Sequence, residues 1–348
     1  MRRYKRLILI GLGLGLLAFV AVMLLSDVSA LLAHAMTFPW LIMIPVLALR
    51  VVNWALRFVK WHFYLWLVGV RGLSVADSAA VFLSGFPMAI SPGKAAEVLK
   101  SFILYHMTRT PVAATLPVVA SERLSDGMAV LLLIALAIIN LAADEYWLLV
   151  FICLGLFGVG IVILQIRPLC LALLRLLSRA PLIGRFARSF ELFYESSYRI
   201  VLLPNLAIAV GLGTVANFLD GVGVYLILVG IGQPAAPETF FQALLIISLS
   251  VVAGSLSGMP GAIGASDLTI TGSLQHLVGL ATAPAGFATL VVRFVQLWFG
   301  VIVGGAIAFS ARRRLFPAGL SESLAEHDAH ATPRKEAILG ARALTPGD

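Results

Sequence analysis

The sequence contains few charged residues and almost no cysteine. Only 12% of its 348 residues are charged, whereas 60% are hydrophobic, a balance that excludes a soluble globular domain and a disordered chain. Its two cysteines, Cys153 and Cys170, predict no disulfide framework. The ligand spacings HExxH and CxxC are absent from the sequence, as are a phosphate-binding loop and a nucleophile elbow. We therefore expect no cofactor and no metal, and predict an all-α polytopic membrane protein.

The net charge of +8 is concentrated beside the apolar segments, at 2–6, 167–199 and 312–314. Membrane insertion places such basic flanks on the cytoplasmic side. The segments that then lie outside contain no lysine or arginine: 26–37, 140–145, 231–238 and 281–285. We predict a multi-pass protein of the cytoplasmic (inner) membrane with both termini in the cytoplasm. A nucleic-acid partner is not expected, because the basic residues are explained by membrane insertion.

Apolar runs that could cross a membrane occur throughout the first three hundred residues. They are 7–25, 38–58, 112–142, 146–166, 206–229 and 285–309. The run at 7–25 is taken as a retained span, with a cleaved signal peptide as the alternative. We predict one transmembrane domain over 1–311, in which an amphipathic cytoplasmic linker, 167–203, joins two halves. Residues 312–348 are expected to form a disordered cytoplasmic tail.

Two further apolar segments are each interrupted by a Pro-Gly pair. Segment 74–109 is broken at Pro92-Gly93, and segment 240–280 at Pro260-Gly261. With the basic clusters inside, each broken segment must begin and end on one side, as a re-entrant helical hairpin or as two full spans. The piece after the first break is short for a span, which favours re-entrant hairpins.

The order of span, broken hairpin and long polar-marked helix occurs twice, in halves 38–166 and 204–311. The first copy begins outside and the second inside, which predicts an inverted repeat. A shift of 170 residues superposes polar residues of the halves: Glu97 on Asp267, Arg123 on Arg293 and Asp126 on Gln296. Coincidence is the alternative. Inverted repeats with broken helices are typical of secondary transporters, which bind substrate near the midplane of the bilayer.

The first Pro-Gly pair precedes a charged helix start. Free N–H groups and the positive dipole end make a helix N-terminus a phosphate-binding site. In the alternative interpretation, Glu97 and Lys100 simply neutralise each other. The candidate substrate-binding residues here are Pro92, Gly93, Lys94, Glu97 and Lys100.

Glu122, Arg123 and Asp126 lie deep in the apolar run 112–142. Charges in the hydrocarbon region are costly, so these residues are functional candidates. Glu122 and Asp126 share a helical face and repel each other, so we expect a cationic partner from another helix. Arg123 and Arg293 are candidates to hold a lipid phosphate through two-point contacts. A structural ion-pair network is the alternative.

The second half contributes the corresponding candidates Pro260, Gly261 and Asp267. In the span 38–58, Arg50, Asn53 and Arg57 share one helical face and can avoid lipid together. We expect Asp220, in the span 206–229, to form a structural pair with Arg50 or Arg57.

Three motifs resemble those of the lysylphosphatidylglycerol synthase transmembrane region, also called the UPF0104 or flippase-like family. They are SPGKAAEVLK at 91–100, SERLSD at 121–126 and MPGAIGASD at 259–267. The likeness covers about 5–315, and it implies no synthase activity, because only a short tail follows the last span. The family usually has Gly-Glu where this chain has Ala96-Glu97, and Glu where it has Asp267, so the lipid handled is left open.

Together these features favour a flippase or transporter that moves an anionic phospholipid or a lipid-linked molecule between leaflets. The alternatives are an intramembrane enzyme acting on a lipid-linked substrate, with Glu97 or Asp126 as base, and a scaffold for lipid-synthesising enzymes. We do not expect an enzyme. The expected partners are membrane lipids, an anionic phospholipid or glycolipid, with lipid-biosynthesis enzymes as further candidates.

Overall fold

The structure is a computed structural model that describes residues 28–87, 95–110, 112–141, 147–169, 172 and 198–315. The described part of the chain is almost entirely helical and contains no β-strand. The predicted all-α class is therefore confirmed. The predicted first span at 7–25 lies outside the described residues, as do most of the linker 167–203 and the tail beyond residue 315.

Twelve α-helices have defined bounds in the described regions. They are α1 (Val28–Thr37), α2 (Met43–Leu67), α3 (Val75–Ser84), α4 (Ala95–Thr108), α5 (Val112–Asn140), α6 (Trp147–Gln165), α7 (Leu203–Gly230), α8 (Pro237–Ser257), α9 (Ala265–Leu277), α10 (Thr282–Arg293), α11 (Phe299–Ser310) and α12 (Arg312–Leu315). Short 3-10 turns, Trp40–Ile42 and Pro260–Ala262, precede α2 and α9, and a π-helical turn, Phe294–Trp298, joins α10 to α11.

Five continuous helices are long and apolar enough to cross a membrane. They are Trp40–Leu67, Trp147–Gln165, Leu203–Gly230, Pro237–Ser257 and Thr282–Ser310. Helix α5, with 29 residues, has sufficient length but carries charges in its middle. The chain is thus a multi-pass membrane protein. The span predicted at 38–58 continues to Leu67, because polar residues of its second half are buried against other helices rather than exposed to lipid.

The two broken segments differ in length. Helices α3 and α4 have 10 and 14 residues, and at about 1.5 Å per residue neither reaches the thickness of the hydrocarbon core, about 30 Å. In the second segment α8 has 21 residues, enough to span, whereas α9 has only 13. Pro92 and Gly93 lie outside the described residues. Re-entrance and the inverted relation of the halves remain predictions.

The second Pro-Gly break forms at the predicted place. Helix α8 ends at Ser257 and is capped by Gly258, which has a left-handed backbone (φ 62°); the 3-10 turn Pro260–Ala262 follows. Gly261 and Gly264 also have positive φ, and so does Ala262, where a side chain makes this conformation unfavourable. The chain therefore reverses within a few residues before α9 begins.

Helices α2, α5, α7 and α8 form the centre of the bundle, with α7 packed along the other three. Helix α9 packs between α8 and α10, and α11 packs against α3. Gly304 permits the last contact, because a Cβ there would clash with the carbonyl oxygen of Leu83. Helix α6 lies at the periphery, where Leu148 and Phe151 are exposed as expected for lipid-facing residues.

Candidate functional site

One face of α2 carries a line of polar residues, Arg50, Asn53, Arg57, Lys60 and Tyr64. Their spacing alternates between three and four residues, which places them on one side of the helix. At about 1.5 Å per residue the line extends for about 21 Å, most of the thickness of a hydrocarbon core. We call it the α2 polar stripe. The sequence predicted its first three members, but Lys60 and Tyr64 were missed although they continue the same spacing.

Arg50 begins the stripe and links three helical segments. Its Nη1 donates to both carboxylate oxygens of Asp220 on α7, at 2.8 and 2.9 Å. Its Nη2 donates to the carbonyl oxygen of Gln296 at 2.9 Å. Gln296 lies in the π-helical turn, a distortion that occurs frequently at functional sites. The predicted pairing of Asp220 with a stripe arginine is confirmed, and the partner is Arg50.

Further along α2, two cations share the carboxylate of Asp126 on α5. Arg57 Nη1 donates to Asp126 Oδ2 at 2.6 Å, and Lys60 Nζ donates to Asp126 Oδ1. Lys60 Nζ also donates to Ser125 Oγ at 3.3 Å. We call Arg57, Lys60 and Asp126 the Asp126 cluster. The expected cationic partner from another helix is thus confirmed for Asp126.

Two asparagines orient the guanidinium of Arg57. Its Nε donates to Asn53 Oδ1 at 3.0 Å, and its Nη2 donates to Asn217 Oδ1 at 3.1 Å. Each asparagine amide donates in turn to a carbonyl oxygen of α7, Asn53 to Ala216 at 2.6 Å and Asn217 to Gly213 at 2.8 Å. Both side chains are therefore fixed, and they hold the plane of the guanidinium in one orientation.

A glycine on α7 makes room for the Asp126 cluster. A Cβ at Gly213 would lie 3.1 Å from Asp126 Oδ1 and 3.6 Å from Lys60 Nζ. Tyr64 contacts the cluster through Ser125, because its hydroxyl lies 3.2 Å from Ser125 Oγ, which also accepts from Lys60. Lys60 and Tyr64 are buried. The cluster therefore lies within the protein, between α2, α5 and α7.

Three predicted site residues, Lys100, Glu122 and Arg123, lie around the Asp126 cluster. Glu122 is within electrostatic reach of Lys60, Lys100 and Arg123. The ammonium of Lys100 lies 5.0 Å from the ring centre of Trp61, a cation–π distance. Arg123 is exposed on α5. The structure thus brings together the predicted charges of α4 and α5.

The side chain of Glu97 and the residues Pro92, Gly93 and Lys94 lie outside what the structure describes. Their role in substrate binding remains a prediction.

A second cluster forms at the Pro-Gly break. Arg293 Nε donates to Asp267 Oδ1 at 2.8 Å, and its Nη2 donates to the carbonyl oxygen of Gly261 at 2.9 Å. The other oxygen of Asp267 accepts from the Gly264 N–H at 2.7 Å, which caps α9. We call Asp267 and Arg293, with these two backbone groups, the Asp267 cluster. It fixes the reversed chain, and Pro260 belongs to the turn that it holds.

The two arginines related by the sequence shift differ in surroundings. Arg293 is buried and bonded to Asp267, whereas Arg123 is exposed on its helix. Arg50 of the α2 polar stripe donates to the carbonyl oxygen of Gln296, three residues after Arg293. Beside Arg50 and Asp220, a small cleft extends between apolar side chains of α2, α7 and α10. In the described ranges, no group of three His, Cys, Asp or Glu side chains could hold a metal ion.

A family model described as the lysylphosphatidylglycerol synthase TM region matches residues 8–304. The chain belongs to this family. The match includes all three motifs and therefore both clusters and the α2 polar stripe. No curated protein matches the sequence. Membership of the lysylphosphatidylglycerol synthase TM region family and the membrane-crossing helices together identify a lipid-related membrane protein.

Proposed function

We propose that the protein moves an anionic phospholipid, or another anionic lipid-linked molecule, between the leaflets of the cytoplasmic membrane. The observation that carries the proposal is the α2 polar stripe, which continues for about 21 Å through an apolar bundle. A lipid head group needs such a path, because a charge in hydrocarbon is costly unless it is paired or hydrated. The excess of cations in the stripe fits a phosphate.

The positions of Arg50 and Asp220 support an inverted repeat. They are 170 residues apart, the same shift that superposes the polar residues of the two halves. Residues at equivalent positions of two halves related by a two-fold axis can touch only close to that axis. Their ion pair therefore fits an axis that passes between α2 and α7, as in transporters built from inverted repeats.

In this proposal the predicted site residues have two kinds of role. Lys100, Glu122, Arg123 and Asp126 contribute to the head-group path beside the stripe. The residues of the second break hold the chain reversal instead: Pro260, Gly261, Asp267 and Arg293. Both termini face the cytoplasm in this arrangement, because the basic clusters at 2–6 and 312–314 then lie inside.

The proposal is tested with purified protein in liposomes that carry a fluorescent phosphatidylglycerol analogue. The fraction of analogue in the outer leaflet is measured over time by chemical quenching. We expect exchange of the analogue between leaflets in the presence of the protein and none in protein-free liposomes. The exchange rate should fall at least about tenfold in Arg57→Gln, because this variant lacks a charged hydrogen-bonding group. Arg314→Gln, the same substitution at an exposed side chain, is the matched control. Exchange at the protein-free rate would refute the proposal, and chemical conversion of the analogue would indicate an enzyme.

A further inference from the structure

The Asp126 cluster has an unequal number of charges. Its two cations, Arg57 and Lys60, donate to the single carboxylate of Asp126. The Lys60 side chain is 1% exposed and that of Asp126 is 13% exposed, so bulk water does little to compensate the extra charge. A buried cation without an equal anion is unfavourable, and the cluster is therefore suited to accept one more negative charge.

The charged neighbours do not remove this excess. Glu122 is within electrostatic reach of Lys60, but Lys100 and Arg123 lie within reach of the same carboxylate. Arg50 and Asp220, further along the stripe, balance each other.

Arg57 offers the route by which an anion could reach the cluster. Its side chain is 23% exposed, the largest exposure of the three. A guanidinium has five N–H groups, and Arg57 uses one on each of its three nitrogens for Asn53, Asp126 and Asn217. Two N–H groups thus have no acceptor among the described residues, and a phosphate oxygen is a suitable one.

We infer that the net charge of the Asp126 cluster selects the lipid that the protein carries. This inference rests on the proposed function. Asp126 supplies one negative charge to Arg57 and Lys60. The phosphodiester of a lipid with net charge −1 supplies the second, which makes the cluster neutral. Zwitterionic and cationic lipids have a positively charged nitrogen in the head group, and they bring this charge to a site that already has an excess of positive charge. The preferred cargo is therefore a phospholipid without a head-group cation, even though the family is named after a lysine-bearing lipid.

Two substitutions of similar size are expected to shift the lipid preference in opposite directions. Lys60→Gln leaves Arg57 and Asp126 as a balanced pair, so the preference for an anionic lipid should disappear. Asp126→Asn raises the excess by one charge, so the preference should increase. General damage to the fold would lower lipid binding in both variants, and cannot produce opposite shifts.

The test is native mass spectrometry of the full-length protein in micelles with equimolar phosphatidylglycerol and phosphatidylcholine. We expect the unmodified protein to retain more phosphatidylglycerol than phosphatidylcholine. The ratio of the two bound lipids should fall at least about tenfold in Lys60→Gln and should rise in Asp126→Asn. The controls Arg314→Gln and Asp77→Asn make the same charge changes in the ion pair between α12 and α3, outside the cluster. They should leave the lipid preference unchanged. An unchanged preference in Lys60→Gln, or a reduced one in Asp126→Asn, would overturn the inference.

Two safeguards keep the result decisive. If Asp126→Asn does not fold, Lys60→Gln decides alone, because it keeps the Arg57–Asp126 pair intact. Binding in micelles is also measured apart from exchange between leaflets in liposomes. Charge-dependent binding without exchange would refute the proposed transport but support the charge selectivity. Exchange without charge dependence would support transport but overturn the charge selectivity.

Discussion

The Asp126 cluster and the Asp267 cluster use the same residue types for different ends. In the Asp267 cluster one arginine meets one carboxylate, and backbone groups of the chain reversal occupy the other carboxylate oxygen and Nη2 of the arginine. In the Asp126 cluster one carboxylate serves two cations that come from another helix. The first arrangement is balanced in charge, and we propose that the second accepts a further anion. In our proposal, charge balance distinguishes a structural site, the Asp267 cluster, from a binding site, the Asp126 cluster.

The largest effect is expected from Asp267→Ala. The substitution leaves the buried Arg293 without its carboxylate and removes the cap of the Gly264 N–H. Breaking a buried ion pair from one side costs about 3–5 kcal/mol, so thermal stability in detergent should fall steeply. Glu238→Ala, which removes an exposed carboxylate, is the control. Recovery of part of the stability in Asp267→Ala with Arg293→Leu would sharpen the structural assignment, and an unaltered melting temperature in Asp267→Ala would break it.

The sequence predicted the all-α membrane class, the second Pro-Gly break and the face shared by Arg50, Asn53 and Arg57, because each follows from local composition or helical periodicity. It also predicted a stripe partner for Asp220. It could not assign the backbone contacts of the Asp267 cluster, since these involve Gly261 and Gly264, whose positive φ angles are set by the folded turn.

Lys60 was missed for a different reason. It follows the most apolar part of the span, where a lysine is typical of a membrane-interface flank. Only the packing of α2 against α5 and α7 places it inside the protein, next to Asp126. The charge excess of the Asp126 cluster was therefore not visible before the helices were assembled.

A smaller effect on stability, but a clear one on transport, is expected from Arg57→Lys. Lysine keeps the charge but lacks the planar fork that contacts Asn53, Asp126 and Asn217 together. Loss of these charged hydrogen bonds should cost about 1.5–3 kcal/mol and reduce phosphatidylglycerol exchange about tenfold. Arg314→Lys, at a side chain 78% exposed, is the matched control. Exchange at the unmodified rate would mean that charge alone suffices at this position.

The smallest effect is expected from Gly213→Ala. The new Cβ would lie 3.1 Å from Asp126 Oδ1 and 3.3 Å from the Cβ of Ala129, so α5 and α7 must separate slightly. Overpacking of this kind costs about 1 kcal/mol or somewhat more, measurable as a lower melting temperature. Gly211→Ala lies on the same helix with no atom within 4 Å, and should be tolerated. Equal melting temperatures for the two variants would show that the Asp126 cluster is not tightly packed against α7.

The most direct test of the α2 polar stripe as the lipid path is photocrosslinking. A phosphatidylglycerol analogue with a diazirine on its head group is reconstituted with the protein, irradiated, and the labelled peptides are mapped by mass spectrometry. We predict labels on α2 between Arg50 and Tyr64 and on the facing parts of α5 and α7, competed by unlabelled phosphatidylglycerol, with only uncompeted labelling of the peripheral α6. Competed labels confined to the Asp267 cluster, with none on α2, would contradict the account.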